Sequence, residues 1–243
     1  MTISIITVVF NGEQFLEKTI KSVVNQTYSQ HIEYIVVDGK STDKTLEIIH
    51  KYQKSISKWI SEPDKGLYFA MNKAINLATG DYLWFMNAGD TFPSSQTVEN
   101  AFASQPNADI YYGEASIVNN EGKTIADFQH KNPKKLTHKS LQTGMVVCHQ
   151  AFVVKRNIAP KYNTDYRICA DIDWVIHCLK NAKTICNTHQ TLALFLENGL
   201  SSQKFELAWK ERFLILQHHY GFWTNIANHL YIVVRFIYRK IKN

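Results

Sequence analysis

The sequence lacks several patterns that identify common protein classes. Its four cysteines include no CxxC pair and no zinc-type spacing, so we expect free thiols in a reducing compartment. The first ten residues, MTISIITVVF, have neither a basic region nor a small-residue cleavage site, and we expect no secretory signal there. Repeats and low-complexity tracts are absent as well. We therefore expect a globular, cytoplasmic protein.

A glycine-rich loop is also missing where two nucleotide-binding classes need one. Residues 3–10 form a β-branched run, as expected of a strand buried on both faces. The turn after it, FNGEQF, has a single glycine, whereas a dinucleotide-binding oxidoreductase needs GxGxxG there. A sugar-nucleotide pyrophosphorylase would carry a glycine-rich loop with Arg or Lys at the same place. The turn disfavours both classes.

The chain does contain an alternation of strand and helix patterns. Its 243 residues, 45% of them hydrophobic, suffice for one large α/β domain or for a domain with a helical appendage. A helix is predicted after the first strand, a second strand ends at residue 38, and a second helix follows Ser41, its candidate N-cap. This order predicts a mainly parallel sheet with helices on its faces.

Two acidic residues lie at the ends of predicted strands. Asp38 ends the second strand, and Asp90 ends a strand that follows a helix expected to close at Gly80. Ligands of parallel sheets bind at the carboxyl ends of the strands. Two carboxylates on that edge suit a nucleotide bound with a divalent cation, because Mg²⁺ uses carboxylate oxygens together with substrate phosphates. The alternative for Asp38 is a simple turn residue.

Five stretches, in the same order, resemble one known family. They lie between residues 3 and 202 and read SIITVVFNGEQFLEKTIKSVVNQTY, YIVVDGKSTDKT, SEPDKGLYFAMNKAINLATGDYLWFMNAGD, HQAFVV and ADIDW. Together they resemble the family 2 glycosyltransferases of the GT-A fold, especially bacterial surface-polysaccharide enzymes. The resemblance implies a mainly parallel GT-A-type sheet, with a nucleotide-sugar half over 1–102 and an acceptor half over 103–202. A helical, basic and amphipathic extension would cover 203–243.

The resemblance also implies roles for individual residues. Asp38 would meet the uracil or ribose of a UDP-sugar, Asp90 would bind Mn²⁺ or Mg²⁺, and Asp171 would be the general base. Eight further residues are expected to line the substrate site: Thr7, Val9, Asn11, Asn72, Asn87, His149, Gln150 and Ser201.

Three positions depart from the family pattern. Gly89 stands where relatives often have a second acid of the metal motif, which leaves Asp90 as the one certain carboxylate there. Phe69 stands where many relatives have Asp, and Ala74 where many have Gly. These changes bear on metal affinity and donor identity more than on the reaction class.

The stretch YRICADIDWVIHCLKNA predicts a helix with two acids near its start. At about 100° per residue, Asp171 lies about 80° and Asp173 about 120° from the centre of the apolar stripe. We therefore expect Asp171 to be nearer the buried boundary, and we favour it over Asp173 as the base. Charge complementation at the helix N-terminus is the alternative for both acids.

The implied reaction is a single displacement that inverts the anomeric carbon. Asp171 would take a proton from a hydroxyl of a saccharide acceptor, which could be lipid-linked, and a cation on Asp90 would stabilise the departing UDP. The alternatives are a pyrophosphorylase-like enzyme and a catalytically inactive nucleotide-sugar-binding module. The presence of Asp38 with both other acids argues against an inactive module.

The last segment is basic and amphipathic. A helix is predicted over residues 204–220, and from Thr224 onward apolar residues keep one face beside four basic residues and no acid. The apolar stretch is too interrupted to span a bilayer, so we expect 224–243 to lie on an anionic surface at the inner face of the cytoplasmic membrane. Packing on the catalytic domain or on a second subunit of a homo-oligomer is the alternative. No recognition motif supports nucleic-acid binding.

Overall fold

The structure is a computed structural model that describes residues 1–128, 132–197 and 204–242, with side chains as far as residue 232. Its strands are β1 (Ile3–Val9), β2 (Ile32–Asp38), β3 (Lys58–Ser61), β4 (Tyr82–Phe85), β5 (Ile110–Val118), β6 (Thr124–Asp127), β7 (Phe152–Lys155) and β8 (Ile185–Leu196). Its helices are α1 (Leu16–Val24), α2 (Thr45–Tyr52), α3 (Leu67–Leu77), α4 (Thr97–Ala103), α5 (Ala170–Asn181), α6 (Phe205–Tyr220) and α7 (Phe222–Lys242).

The strands form one mixed sheet in which four neighbours are parallel. Its order is β3-β2-β1-β4-β7-β5-β6, and β8 pairs with β5. β3, β2, β1 and β4 run in one direction, β7 is antiparallel to both β4 and β5, and β8 is parallel to β5. The carboxyl ends of β1, β2 and β4 therefore share one edge, where Val9 is paired with Asp38. The predicted mainly parallel sheet is confirmed.

Helices cover both faces of this sheet. Successive residues of a strand point to opposite sides, so Ile6 of β1 packs in one core cluster with Met71 of α3 and Val175 of α5. Ile5 packs in the other cluster, with Leu16 of α1. Full burial of such a side chain contributes about 1.5–3 kcal/mol. That contribution explains why the central strands are continuously apolar.

Several local predictions are corrected by the structure. Ser41 is not an N-cap, because α2 begins only at Thr45. Gly80 does not close α3, which ends at Leu77; a Cβ on Gly80 would lie 2.7 Å from the Ser4 backbone nitrogen, so close packing on β1 requires the glycine. Residues 152–155 form the single strand β7 after a short 3-10 turn at 149–151. Residues 119–123 join β5 to β6 as an antiparallel hairpin.

Of the two C-terminal helices, α6 packs on the core, and α7 packs on α6. α6 buries Ile215 and Leu216 in the cluster that contains α5, and Gly221, with a φ of 86°, joins α6 to α7. Within the described part of the chain, every helix is too short or too polar to cross a membrane. The predicted domain boundary at 202–203 falls outside the described residues, so the division into domains stays a prediction.

Candidate active site

The first group of predicted site residues lies in two adjoining turns, at the ends of β1 and β2. Asp38 is fully buried, and its carboxylate accepts hydrogen bonds from the Ser41 hydroxyl, from the Ser41 N–H at 3.1 Å and from the Ser61 hydroxyl at 2.6 Å. Ser41 Oγ in turn accepts the Asn11 N–H at 2.8 Å, and Asn11 Oδ1 accepts the Thr42 N–H at 2.9 Å. Asn11 has a φ of 48°, a conformation that Asn tolerates better than most residues. Asp38 thus holds both turns through Ser41.

Two other predicted residues belong to the interior of β1. The Thr7 hydroxyl donates to the Met86 carbonyl at 2.7 Å and lies 3.0 Å from the Tyr34 hydroxyl, and Val9 packs in the core. These side chains therefore brace the strand end. Contacts of Thr7, Val9 or Asp38 with a ligand stay predictions.

Asp90 follows β4 in a tight turn and is almost fully buried. Its Oδ2 accepts from Gln150 Nε2 at 2.8 Å, and its Oδ1 accepts from the Leu196 N–H at 3.0 Å. Burial nevertheless raises the pKa of Asp90 to about 7. Gly89 has a φ of 106°, and a Cβ there would lie 2.8 Å from Leu196 Cδ2, which leaves no room for a second acid. Ser201, which follows Leu196 in the chain, lies outside the described residues.

The donors around Asp90 fit a hard divalent cation. The Asn87 amide oxygen is buried and has no hydrogen-bond partner among the described residues. The Asp90 N–H donates to the Asn87 carbonyl at 2.9 Å, so both side chains belong to one turn. A poorly compensated carboxylate and a free amide oxygen are ligands that Mg²⁺ or Mn²⁺ prefers. Within the described ranges, Asp90 belongs to no group of three His, Cys, Asp or Glu ligands, so further ligands would come from substrate or water.

Asp171 lies half-buried in the first turn of α5. Its Oδ1 accepts the Tyr68 hydroxyl at 3.2 Å and the Ile172 N–H at 3.0 Å. Burial raises the pKa of Asp171 to about 6, although these hydrogen bonds oppose the increase. Such a carboxylate is largely ionised at neutral pH and is still basic enough to accept a proton. Its chemistry is that of a general base.

The expectation that Asp171 is nearer the buried side than Asp173 is wrong. Asp173 is 6% exposed, whereas Asp171 is half-buried. The flank of α5 that carries Asp173 is covered by α6, and His219 Nε2 lies 2.7 Å from Asp173 Oδ1. The apolar residues of α5 do not by themselves indicate that α6 packs over Asp173. Asp173 is thus paired with α6, and Asp171 with α3.

A buried aromatic cluster supports the site between α3 and α5. Tyr68 stacks on Tyr162 with ring centroids 5.4 Å apart, and the Tyr162 hydroxyl lies 2.7 Å from His149 Nε2. The Asn72 amide exchanges two hydrogen bonds with the Tyr162 backbone, at 2.9 and 2.8 Å. Burial lowers the pKa of His149 to about 4, so the imidazole is neutral at pH 7. Asn72 and His149 therefore hold Tyr162 in place.

The same cluster extends from the predicted base towards the predicted metal ligand. Tyr68 bonds Asp171 at one end, and Gln150, the neighbour of His149, bonds Asp90 at the other. The predicted residues of the 149–150 stretch thus lie at the candidate site. Their contacts in this structure are with protein groups.

Sequence reasoning missed three residues that organise this site: Tyr68, Tyr162 and Glu211. Tyr68 lies four residues before Asn72 on α3, and this spacing places both on one helix face, a signal that was available. Glu211 of α6 accepts the N–H groups of residues 167–169 at 2.7, 2.8 and 2.9 Å and so holds the chain that enters α5. No local signal identifies Glu211, because its partners are 42–44 residues away.

Comparisons with known proteins identify the family of the chain. A family model described as Glycosyl transferase family 2 matches residues 4–162. A PGL/p-HBAD biosynthesis glycosyltransferase of Mycobacterium bovis is 30% identical over 207 residues, which are 81% of this chain and 77% of that protein. The putative teichuronic acid biosynthesis glycosyltransferase TuaG of Bacillus subtilis is 26% identical over 219 residues, 87% of this chain and 86% of that protein.

Solved structures share the fold. S. aureus TarS 1–349 in complex with UDP-GlcNAc matches with a TM-score of 0.69 and 17% identity, over 89% of this chain and 67% of that chain. The mannosyltransferase PcManGT from Pyrobaculum calidifontis, in complex with GDP-Man and Mn²⁺, matches with a TM-score of 0.63 and 14% identity. The match covers 96% of this chain and 75% of that chain. At these identities the likeness concerns the fold alone.

Proposed function

The chain belongs to glycosyltransferase family 2, and we propose that it moves a sugar from a UDP-sugar to a hydroxyl of a saccharide acceptor, with inversion. The observation that carries this proposal is that Gln150 bonds Asp90, while its neighbour His149 contacts Tyr162, which stacks on the Tyr68 ring beside Asp171. Burial raises the pKa values of both carboxyls, to about 7 for Asp90 and about 6 for Asp171. Acids perturbed in this way are typical of catalytic groups. Asp90 suits a cation that keeps it ionised, and Asp171 suits proton transfer.

Asp171 acts as the general base. A group with a pKa of about 6 is about nine-tenths ionised at pH 7. Asp171 accepts the proton of the acceptor hydroxyl while that oxygen bonds to the anomeric carbon and the bond from this carbon to the UDP oxygen breaks. Attack opposite the leaving group inverts the configuration. General-base catalysis of this kind contributes about 10²- to 10⁴-fold in rate.

Asp90, Asn87 and the two adjoining turns form the donor side. Asp90 and Asn87 would hold Mn²⁺ or Mg²⁺, which would neutralise the charge that develops on the departing UDP. Asp38 and Asn11 stabilise the turns at the carboxyl edge of the sheet, where ligands of parallel sheets bind. A uridine nucleotide is supported by the likeness to TarS, whose structure contains UDP-GlcNAc.

The acceptor is a saccharide of bacterial surface-polysaccharide synthesis, carried on a lipid. The similarity to a putative teichuronic acid biosynthesis enzyme supports this class of acceptor. A lipid carrier requires that the enzyme work at a membrane surface. α7 supplies a surface suited to that.

One side of α7 packs on α6, and the other side is exposed. Asn225 and His229 are buried against α6, and Asn225 Nδ2 donates to the Phe213 carbonyl at 3.0 Å. On the opposite side, Trp223 is 81% and Leu230 62% exposed. In the sequence, the apolar spacing continues to residue 241 beside four basic residues. These features support a helix that lies in the interface of an anionic membrane at the cytoplasmic face.

Vesicle sedimentation tests this surface. We expect the full chain to bind vesicles rich in phosphatidylglycerol, because each basic residue near an anionic surface contributes about 1 kcal/mol. The bound fraction should fall as the salt concentration increases, since salt screens this attraction. Trp223→Ser with Leu230→Ser should abolish binding and leave the unfolding temperature unchanged. Phe205→Ser, at an exposed position on α6, is the matched control. If the wild type does not bind vesicles even at low salt, α7 is not a membrane-binding surface. If the wild type is a dimer and the double variant is a monomer, this face of α7 contacts a second subunit instead.

A donor screen tests the proposed reaction. With a saccharide acceptor and Mn²⁺ or Mg²⁺, the full chain should release UDP from one UDP-sugar, and chelation should stop the release. Asp90→Asn should lose turnover while it keeps the unfolding temperature, because the amide has the shape of the buried carboxyl and removes a charge whose burial is unfavourable. Turnover of a GDP-sugar would show that the donor nucleotide is GDP and not UDP. Pyrophosphate release from UTP and a sugar phosphate, or UDP binding with no turnover of any donor, would refute the proposal.

A further inference from the structure

Three side chains with metal-binding atoms meet between α5 and α6, beside the proposed base. Asp173 and His177 belong to α5, and His219 belongs to the last turn of α6. One ligand atom from each lies within 4.8 Å of the others, and no other such group of three occurs within the described residues. We propose that Asp173, His177 and His219 bind one transition-metal ion of the Zn²⁺ class.

The distances suit a tetrahedral ion. In a Zn²⁺ site with bonds of about 2.0–2.2 Å, neighbouring ligand atoms are about 3.3–3.6 Å apart. Asp173 Oδ1 lies 2.7 Å from His219 Nε2 and 3.7 Å from His177 Nε2. The two spacings bracket the required value, so small side-chain rotations are enough to admit the ion.

The fold holds the three ligands ready and leaves a path to them. Asp173 and His177 are four residues apart on α5 and therefore share a face. His219 and Asp173 are packed between the helices, whereas the His177 side chain is 44% exposed. An open cleft of about 250 Å³ reaches the group, with Tyr166 and His218 among its walls. The cleft gives the ion access and leaves room for water as a fourth ligand.

The ligand chemistry separates this site from the one at Asp90. Imidazole nitrogens favour Zn²⁺, Ni²⁺ and Cu²⁺, whereas oxygen ligands favour Mg²⁺ and Mn²⁺. Burial lowers the pKa of His177, which favours the neutral ring that binds metals. All four cysteines are buried, so thiolates do not compete for the ion in the folded protein.

Binding requires one rearrangement at His219. Its Nε2 lies 2.7 Å from Asp173 Oδ1, and its Nδ1 lies 2.9 Å from Lys180 Nζ. In the metal-free protein, Nε2–H therefore donates to Asp173, while Nδ1 accepts from Lys180. An ion on Nε2 moves the ring proton to Nδ1, and Lys180 turns into solvent, to which it is already exposed. The ion then ties α6 to the helix that begins beside Asp171.

Titration of the metal-free, full-length protein tests this site. Calorimetry should show one Zn²⁺ per chain, in the wild type and in Asp90→Asn alike, and excess Mg²⁺ should not compete. Co²⁺ in place of Zn²⁺ should give the strong visible absorption of a tetrahedral ion. His177→Gln should weaken Zn²⁺ binding by more than the about 10- to 100-fold that loss of a second-shell partner costs. It should also remove the rise in unfolding temperature that Zn²⁺ causes in the wild type.

His218→Gln is the matched control, since this exposed histidine lines the same cleft but is not one of the three ligands. It should bind Zn²⁺ like the wild type. Wild-type affinity in His177→Gln, an equal loss in His218→Gln, or no stoichiometric binding by the wild type would each overturn the proposal. Binding lost only in Asp90→Asn would also overturn it, because the ion would then occupy the donor site. These measurements do not require transferase activity.

Discussion

Replacement of Tyr68 by Phe should shift the pH dependence of sugar transfer. The Tyr68 hydroxyl donates to Asp171 Oδ1 at 3.2 Å, and this bond favours the ionised carboxylate that the base requires. Without the hydroxyl, the pKa of Asp171 rises above its present value of about 6. Because the active form is the deprotonated one, activity is lost on the acidic side and recovers as the pH increases.

The size of the shift follows from the two distances at the Tyr68 hydroxyl. Hydrogen bonds to charged groups contribute about 1.5–3 kcal/mol, and one pKa unit corresponds to about 1.4 kcal/mol. The hydroxyl has one proton, and the Ile168 carbonyl, at 2.8 Å, is nearer than Asp171 Oδ1, so the lower value applies. We expect a shift of about one unit. At pH 6 the ionised fraction of Asp171 would fall from about one half to about one tenth, whereas at pH 8 it would stay above about nine tenths.

The assay is kcat/KM from pH 5 to 9 with saturating Mn²⁺, which keeps Asp90 ionised. Tyr162→Phe is the matched control, because the Tyr162 hydroxyl lies against His149. This variant should not move the acidic limb of the pH profile, the range in which kcat/KM falls as the pH decreases. The unfolding temperature of both variants is measured as well, since Tyr68→Phe also leaves the buried Ile168 carbonyl without its partner. An acidic limb that does not move in Tyr68→Phe, or that moves equally in Tyr162→Phe, would refute the assignment of Asp171.

Three other substitutions test the remaining parts of the site. Asp171→Asn should lower turnover about 10²- to 10⁴-fold with near-native donor affinity by calorimetry, and a greater loss in Asp173→Asn would make Asp173 the base. Asp38→Ala should weaken UDP binding at least tenfold, about 1.4 kcal/mol, because the turns that would hold the nucleotide lose the carboxylate that bonds Ser41; unchanged affinity would show that Asp38 has no part in donor binding. Glu211→Gln should lower the free energy of unfolding by about 1–3 kcal/mol and reduce kcat, since the amide has one acceptor oxygen instead of two and a buried donor left unpaired costs about 1–3 kcal/mol. Wild-type stability and kcat in Glu211→Gln would contradict its role in positioning α5.

The amino-acid sequence by itself determined the sheet and the positions of the acids along it. Continuous β-branched runs, helical spacing and short polar turns are local patterns, and they predicted β1, β2 and β4 but not the short strand β3. Residues at the carboxyl ends of parallel strands share one edge whatever the rest of the chain does. The locations of Asp38 and Asp90 therefore followed from the strand pattern alone.

Only the tertiary structure decided how those residues are paired. Ser41 bonds Asp38 instead of capping α2, α6 covers Asp173, and Glu211 holds the entrance to α5 from 42–44 positions away in the sequence. Up to residue 232, α7 packs on the protein through the polar residues Asn225 and His229, while Leu230 is exposed. The physical reason is the distance along the chain over which each feature is encoded. Helix and strand periodicity can be read within about ten residues. The burial of a carboxylate and the partners of a buried N–H depend on which distant helix packs there.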